Sequence, residues 1–145
     1  VSMPPLMVFT GMRTQDDLSA SASSFYAELR RLRAMLDAVI AQEGQSTGVF
    51  FLLDEILKGT NSRDRHQGSR ALMLQLLRHG SAGFIATHDL ELTAMEGENP
   101  GLIQNVCMEV DIQGDELYFD YTLKPGISQS FNASLLMRRM GIGVD

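Results

Sequence analysis

The sequence predicts an α/β fold in which helices cover a parallel β-sheet. The first observation is the run Phe-Phe-Leu-Leu at residues 50–53, because four consecutive bulky apolar residues suit a strand buried on both faces. The second is that similar apolar runs alternate with segments of helical periodicity up to residue 95. The third is a later change of pattern, where two strand-like runs flank the hairpin turn signal Gln-Gly-Asp at residues 113–115. We therefore expect a layered α/β core, then an antiparallel hairpin at the sheet edge and a final helix.

The helices are predicted from apolar spacing and end signals. Phe25, Leu29 and Leu32 recur at intervals of three or four residues, which indicates an amphipathic helix. Gly80 is a stop signal for a second helix, and Asp89 is a suitable N-cap for a short third one. The inward face of the second helix is expected to consist of Ala71, Leu72, Leu76 and Leu77. The predicted helices are residues 24–42, 64–79, 89–95 and 128–140.

The strands are predicted from short apolar runs bounded by polar or glycine-containing segments. In open α/β sheets, ligands bind beyond the carboxyl ends of parallel strands, so the residues that follow each run carry most of the functional information. The predicted strands are residues 6–9, 49–53, 83–87, 106–112 and 117–123.

Composition narrows the classes of function. A chain of 145 residues with 44% hydrophobic residues can form one domain or part of one. A net charge of −6 argues against this segment being a duplex-DNA clamp, which would need clustered positive charge. The sequence contains no apolar run of membrane length and no signal-peptide pattern, so we expect no membrane contact from this segment. The single Cys107 fits a reducing cytoplasm, and without an evident acid or base partner it is expected to be buried and inert.

Two adjacent carboxylates, Asp54 and Glu55, follow directly after the strand at residues 49–53. A pair of solvated acids is the simpler interpretation of this dipeptide. In nucleotide-hydrolysing folds, however, the first such acid serves Mg²⁺ and the second activates water. His88 follows the next strand and is expected at the same edge of the sheet. We therefore interpret the two acids and the imidazole as one candidate site.

Small polar residues on two other segments favour phosphate chemistry. The loop after the acids contains Thr60, Asn61 and Ser62, which offer hydrogen-bonding groups beside the predicted metal position. Ser23 and Ser24 stand near the start of a long helix, where free backbone N–H groups suit an anion.

Taken in this order, the motifs resemble the ATPase domain of the MutS family of DNA mismatch-repair proteins. Residues 16–18 with Ser23, Ser24, Phe25 and Glu28 resemble the signature loop and helix, and residues 50–55 resemble the Walker B strand. Residues 59–62 with Asp64 are similar to the D-loop, and residues 86–88 with Glu91 and Leu92 are similar to the His-switch segment. Tyr121, residues 123–126, Ser130 and Phe131 resemble the C-terminal hairpin and final helix.

The resemblance implies a P-loop NTPase core of the ABC type with ATP and Mg²⁺ as cofactors. In that assignment Asp54 holds Mg²⁺ through water, Glu55 polarises the attacking water and His88 senses the γ-phosphate. Ser23 and Ser24 would close on the nucleotide of a facing subunit, so a second ATPase domain, and hence a homodimer, is the expected partner. DNA would be bound through upstream domains.

The chain departs from the family pattern in three places. It contains no Gly-x-x-x-x-Gly-Lys-Ser/Thr motif, so residues 1–145 are expected to be the C-terminal part of an ATPase domain that binds ATP weakly or undetectably alone. Ser21 and Ala22 stand where the family commonly has Gly and Arg, and Asn132 stands where a Gly is usual. Residues 25–32 and 58–65 look closer to short, divergent MutS-like bacterial proteins than to the classical repair proteins.

Three alternatives remain open from the sequence. A related ABC-type DNA-maintenance ATPase would share the acidic strand and the histidine but carry a long coiled coil. A non-enzymatic, ATPase-like dimerisation module would not need the costly trio of Asp54, Glu55 and His88. A metal-dependent hydrolase with direct ligation by these residues is the most distant alternative, because no further acid stands at ligand spacing.

Overall fold

The computed structural model describes residues 2–11, 21–114, 116–129 and 133–143. The signature-loop residues 16–18 and the family-like positions Ser130, Phe131 and Asn132 lie outside the described residues. The chain divides into two compact units, Val1–Leu92 and Thr93–Asp145.

The order of the elements follows the predicted alternation. The first unit contains β1 (Leu6–Gly11), α1 (Ser21–Gln42), β2 (Gly48–Asp54), α2 (Ser62–Arg78) and β3 (Ala82–Ala86). A 3-10 helix spans Leu90–Ala94. The elements that follow are α3 (Met95–Glu98), β4 (Val106–Gln113), β5 (Glu116–Pro125) and α4 (Ala133–Arg139).

The first unit is built on a three-stranded parallel sheet in the order β1-β2-β3. In the central strand, Phe51 is paired with Phe9 on one side, and Asp54 is paired with Ala86 on the other. Parallel strands need a crossover connection, and α1 and α2 supply the two crossovers. All three strands therefore end at the same edge, as the sequence predicts, and residues 54–55 and 87–88 leave the sheet side by side.

The main core lies between one face of the sheet and the two helices. Met35 and Val39 of α1 and Leu76 of α2 are almost fully buried against alternate residues of β2. Burial of each large apolar side chain contributes about 1.5–3 kcal/mol relative to an exposed one. The core members are Leu32, Met35, Leu36, Val39, Val49, Phe51, Leu53, Ile56, Leu57 and Leu76.

The prediction that β2 is buried on both faces is wrong. Burial alternates along the strand, so Val49, Phe51 and Leu53 are buried whereas Leu52 remains 37% exposed. The same face of the sheet exposes Val8 and Phe84, and Phe84 makes an edge-to-face contact with Phe50 at 5.9 Å between ring centroids. Both helices cover the other face of the sheet. One face of β2 is therefore exposed to solvent, although its apolar sequence suggests a strand buried on both faces.

Helix α2 has defined ends. Asn61 caps its start, and at its end the N–H of Gly80 donates to the carbonyl of Leu77 at 3.0 Å, with a φ of 73° that favours glycine. The predicted stop at Gly80 is confirmed. The predicted inward face needs one correction, because Ala71 is exposed whereas Ser69 is buried with Leu76. Residues 69 and 76 are seven apart, two turns along the same face of the helix.

The predicted cap at Asp89 is confirmed, although the turn that follows is a 3-10 helix. Its Oδ1 accepts the N–H of Glu91 at 3.1 Å, and its carbonyl accepts the N–H of Leu92 at 3.2 Å. Among the described residues, no helix has the length and apolar character needed to cross a membrane.

The hairpin β4–β5 is a separate two-stranded antiparallel sheet, which corrects its predicted position at the edge of the parallel sheet. Its register shifts between Met108 and Val110, opposite a bulge where Tyr121 adopts a φ of 52°. Cys107 is partly buried rather than buried, and its Sγ lies 3.5 Å from Oε1 of Glu109. The expectation that this thiol has no acid partner is therefore wrong.

Candidate functional site

The two acids stand where β2 leaves the sheet. Asp54 is the last residue of β2, and the N–H of Glu55 donates to the carbonyl of Ala86 at 2.9 Å. This bond extends the contact between β2 and β3 by one residue beyond the last paired positions. As a result, Glu55 lies beside the chain that follows β3, where Thr87 and His88 stand.

Glu55 and His88 are in direct contact. Oε1 of Glu55 accepts the backbone N–H of His88 at 2.9 Å and lies 3.5 Å from Nε2 of the imidazole. The Glu55 side chain is 16% exposed, whereas that of His88 is 99% exposed. The carboxylate is thus held in a fixed position, and the imidazole extends into solvent beside it.

The backbone after Asp54 is strained. Glu55 has a φ of 50° and Leu57 a φ of 61°, both in the left-handed region that residues other than glycine seldom adopt. Such conformations cost on the order of 1–3 kcal/mol each and persist where the surrounding structure imposes them. Burial of Ile56 and Leu57 in the core holds this turn, so packing fixes the direction in which Glu55 projects.

Helix α1 also holds the turn. Oε1 of Glu28 accepts the N–H of Leu57 at 2.6 Å. Phe25, one turn earlier, lies so close to Gly59 that a Cβ at position 59 would stand 2.6 Å from the Phe25 Cβ. The first turns of α1, which carry Ser23 and Ser24, therefore contact the loop that carries the acids.

Asp54 points away from α1 and α2. Successive strand side chains alternate between faces, and Leu53 is buried under the helices, so Asp54 belongs to the open face of the sheet. Its exposed carboxylate suits Mg²⁺, which prefers oxygen ligands and retains several waters. Ser23 and Ser24 are exposed on α1, in the helical layer over the opposite face. The structure therefore brings Glu55 and His88 together but does not gather the serines around Asp54.

The loop over residues 60–62 has a structural function. Oδ1 of Asn61 accepts the N–H of Asp64 at 2.9 Å, and Nδ2 of Asn61 donates to the Asp64 carboxylate at 2.7 Å. Asn61 is thus committed to capping α2. Thr60 is half-buried and Ser62 is exposed at the first position of the helix.

Two features of this region have only weak signals in the sequence. Glu28 falls on the apolar stripe of α1 between Phe25 and Leu29, and a carboxylate on an inward face indicates a buried partner. His66 of α2 lies 2.9 Å from Asp89 across 23 residues of sequence, a contact that no local pattern indicates.

Comparison with known proteins identifies the family of this chain. The family model described as MutS domain V matches residues 4–137. The chain belongs to this family.

Individual relatives are consistent with that assignment. The chain is 33% identical over 126 residues to a DNA mismatch repair protein MutS of Natronomonas pharaonis, and the match covers 85% of this chain and 14% of that protein. It is 29% identical over 138 residues to a DNA mismatch repair protein MutS of Thermotoga neapolitana, and the match covers 94% of this chain and 16% of that protein. It is also 29% identical over 138 residues to an Endonuclease MutS2 of Thermus thermophilus, where the match covers 95% of this chain and 17% of that protein. The chain therefore spans less than a fifth of the length of these relatives.

Proposed function

We propose that this segment supplies the acidic and histidine half of an ATP-hydrolysing site in a MutS-like protein that acts on DNA. The observation that carries the proposal is the contact of Glu55 with His88, at 2.9 Å to the backbone N–H and 3.5 Å to Nε2, beside Asp54. An acid and an imidazole meet at the ligand-binding edge of a parallel sheet, where phosphoryl transfer needs positioned charges. Membership of the MutS domain V family is independent support.

Each residue has a distinct task in this proposal. Glu55 orients and polarises the attacking water, and the His88 backbone N–H holds its carboxylate ready to do so. The exposed imidazole of His88 would contact the γ-phosphate. Asp54 would hold hydrated Mg²⁺, and that ion would neutralise negative charge on the ATP phosphates during phosphoryl transfer. Thr60, Asn61 and Ser62 shape the loop next to the acids, with Asn61 acting through the cap of α2.

The site is proposed to be completed by other polypeptide. The sequence contains no phosphate-binding Gly-x-x-x-x-Gly-Lys-Ser/Thr loop, so residues 1–145 act as the C-terminal part of an ATPase domain. Ser23 and Ser24 then face the nucleotide of a second ATPase domain in a homodimer. DNA is contacted through upstream domains, and the protein works in the cytoplasm.

Two segments of the sequence favour the divergent branch of the family. Residues 25–32 and 58–65 look closer to divergent MutS-like proteins, and Ser21 and Ala22 replace the commonly found Gly and Arg. We therefore propose that the protein resembles short, divergent MutS-like bacterial proteins more than classical mismatch-repair proteins.

The test is Glu55→Gln in the full-length protein that carries this segment. We expect ATP turnover to fall by at least about a hundredfold while ATP binding is retained, because a general base contributes 10²–10⁴-fold. The matched control is Glu43→Gln, since Glu43 also contacts a histidine, His79 at 2.8 Å. Turnover is measured by phosphate release and binding by retention of labelled ATP. Undiminished hydrolysis by Glu55→Gln would refute the proposed role, and a wild-type protein without turnover would favour the non-enzymatic module.

A further inference from the structure

A second cluster of ionisable side chains lies beside the segment that carries His88. Nδ1 of His66 is 2.9 Å from Oδ2 of Asp89, and Nε2 of the same ring is 3.7 Å from Oε2 of Glu91. One ligand atom from each of these residues can be chosen so that all three lie within 4.8 Å of one another. Within the described part of the chain, no other group of three histidine, cysteine or acidic side chains meets this spacing.

We propose that His66, Asp89 and Glu91 form a binding site for a divalent transition-metal cation, such as Zn²⁺ or Co²⁺. A ring nitrogen and two carboxylate oxygens form a donor set that suits these ions. Bonds of 2.0–2.2 Å to a tetrahedral metal place the ligand atoms about 3.4 Å apart. A metal bonds only one nitrogen of the His66 ring, and Glu91 lies nearer Nε2 whereas Asp89 lies at Nδ1, so one acid must move to join the other. Glu91 can make that movement because its side chain is 81% exposed.

The surrounding structure orients two of the three ligands. The N–H of Asp89 donates to Oγ1 of Thr87 at 3.0 Å, and Oδ1 of Asp89 accepts the N–H of Glu91 at 3.1 Å. The side chain of Asp89 is therefore held by its own turn, with Oδ2 facing α2. The His66 ring is about three-quarters buried at that point, which limits its rotation.

Space for a hydrated cation is available at the cluster. All three ligands line an open cleft of about 640 Å³, so water can occupy the remaining coordination positions. Three protein ligands with a further open position correspond to an accessible site rather than a closed structural one. A bound cation would connect α2 to the segment after β3, which also carries His88.

A second histidine provides a natural comparison. His79 has the same side-chain exposure as His66, 25%, and also lies close to a carboxylate, Glu43 at 2.8 Å. It lacks a second acid at ligand distance among the described residues. The same molecule therefore allows a simple histidine–carboxylate pair to be compared with the proposed three-ligand site.

The experiment is calorimetric titration of the 145-residue chain with ZnCl₂, with Co²⁺ absorption as a spectroscopic readout. We expect one ion per chain and an affinity that falls at least tenfold in His66→Gln and in Glu91→Gln. His79→Gln and Cys107→Ser should leave the affinity unchanged, and circular dichroism checks the fold of each variant. The exposed position of Glu91 makes Glu91→Gln decisive if His66→Gln fails to fold.

Three results would overturn the proposal. The first is the absence of stoichiometric binding to the wild-type chain. The second is full affinity in Glu91→Gln. The third is an equal loss in His79→Gln, which would show that any histidine–carboxylate pair binds the ion. None of these results depends on ATP hydrolysis, so the metal-site proposal and the ATPase proposal can be refuted independently of each other.

Discussion

The carboxylate of Glu28 accepts the backbone N–H of Leu57 at 2.6 Å, across 29 residues of sequence. Leu57 is buried and holds a left-handed φ of 61°, two residues after Glu55. The bond therefore joins helix α1 to the strained turn that fixes the proposed catalytic acid. Helix α1 therefore contacts this region through the hydrogen bond of Glu28 and through the adjacent packing of Phe25 on Gly59.

Glu28→Ala is expected to destabilise the protein. Removal of the acceptor leaves a partly buried N–H without its partner, which costs about 1–3 kcal/mol in the free energy of unfolding. Glu28→Gln keeps an oxygen at the same place and should cost less. Urea denaturation of the chain measures both. Asp37→Ala on the same helix is the control, since its exposed pair with Arg33 contributes only about 0.3–0.5 kcal/mol. Equal stability of Glu28→Ala and the wild type would contradict this expectation.

Gly59→Ala is expected to lower the melting temperature. The new Cβ would stand 2.6 Å from the Cβ of Phe25, a contact that forces backbone movement at a cost of about 1–3 kcal/mol. In a chain of this size, each kcal/mol lowers Tm by about 2–4 °C. Gly97→Ala is the matched control, because a Cβ there meets no atom within 4 Å. Differential scanning calorimetry compares the two, and a Gly59→Ala melting curve like that of Gly97→Ala would count against the close packing of α1 on the loop.

The 145-residue chain is expected to bind ATP weakly or undetectably on its own. The backbone amides and lysine of a phosphate-binding loop provide most contacts to a triphosphate, and this sequence lacks that motif. Isothermal titration of the chain with Mg²⁺–ATP provides the measurement. Tight binding would show that the residues present here form a complete nucleotide site.

Cys107 is expected to react slowly with alkylating reagents. Partial burial and then the hydrogen bond to Glu109 raise the pKa of its thiol, so the thiolate fraction at pH 8 is below that of an ordinary cysteine. In a plot of the iodoacetamide modification rate against pH, the midpoint should therefore lie at a higher pH than it does for an ordinary cysteine. Glu109→Gln removes the nearby negative charge and should increase the rate, whereas loss of the Lys124 charge should decrease it. A rate equal to that of free cysteine in the wild-type chain would exclude this effect.

The sequence was sufficient to predict the order of the helices and strands and the edge of the sheet where the candidate site lies. The helical spacing from Phe25 to Leu36 and the run at residues 50–53 are local patterns, and the structure places a helix and a strand at both. The proximity of Glu55 and His88 also follows from local information, because parallel neighbours end at one edge.

The remaining features depend on long-range packing. An apolar run reports hydrophobicity but not how many layers cover it, so the exposure of Leu52 could not be read from residues 50–53. The left-handed turn at Glu55 and Leu57 lacks the glycines that usually indicate such a backbone. The hairpin signal at residues 113–115 identifies a pair of strands but not the sheet to which they belong.

The open side of the parallel sheet affects how the chain behaves in solution. Val8, Leu52 and Phe84 present apolar surface to water, and sulfate strengthens apolar association. Ammonium sulfate should therefore precipitate this chain at low concentrations of the salt, and the apparent molecular mass from light scattering should rise with protein concentration. In dilute, low-salt buffer the net charge of −6 opposes that association and keeps the molecules dispersed.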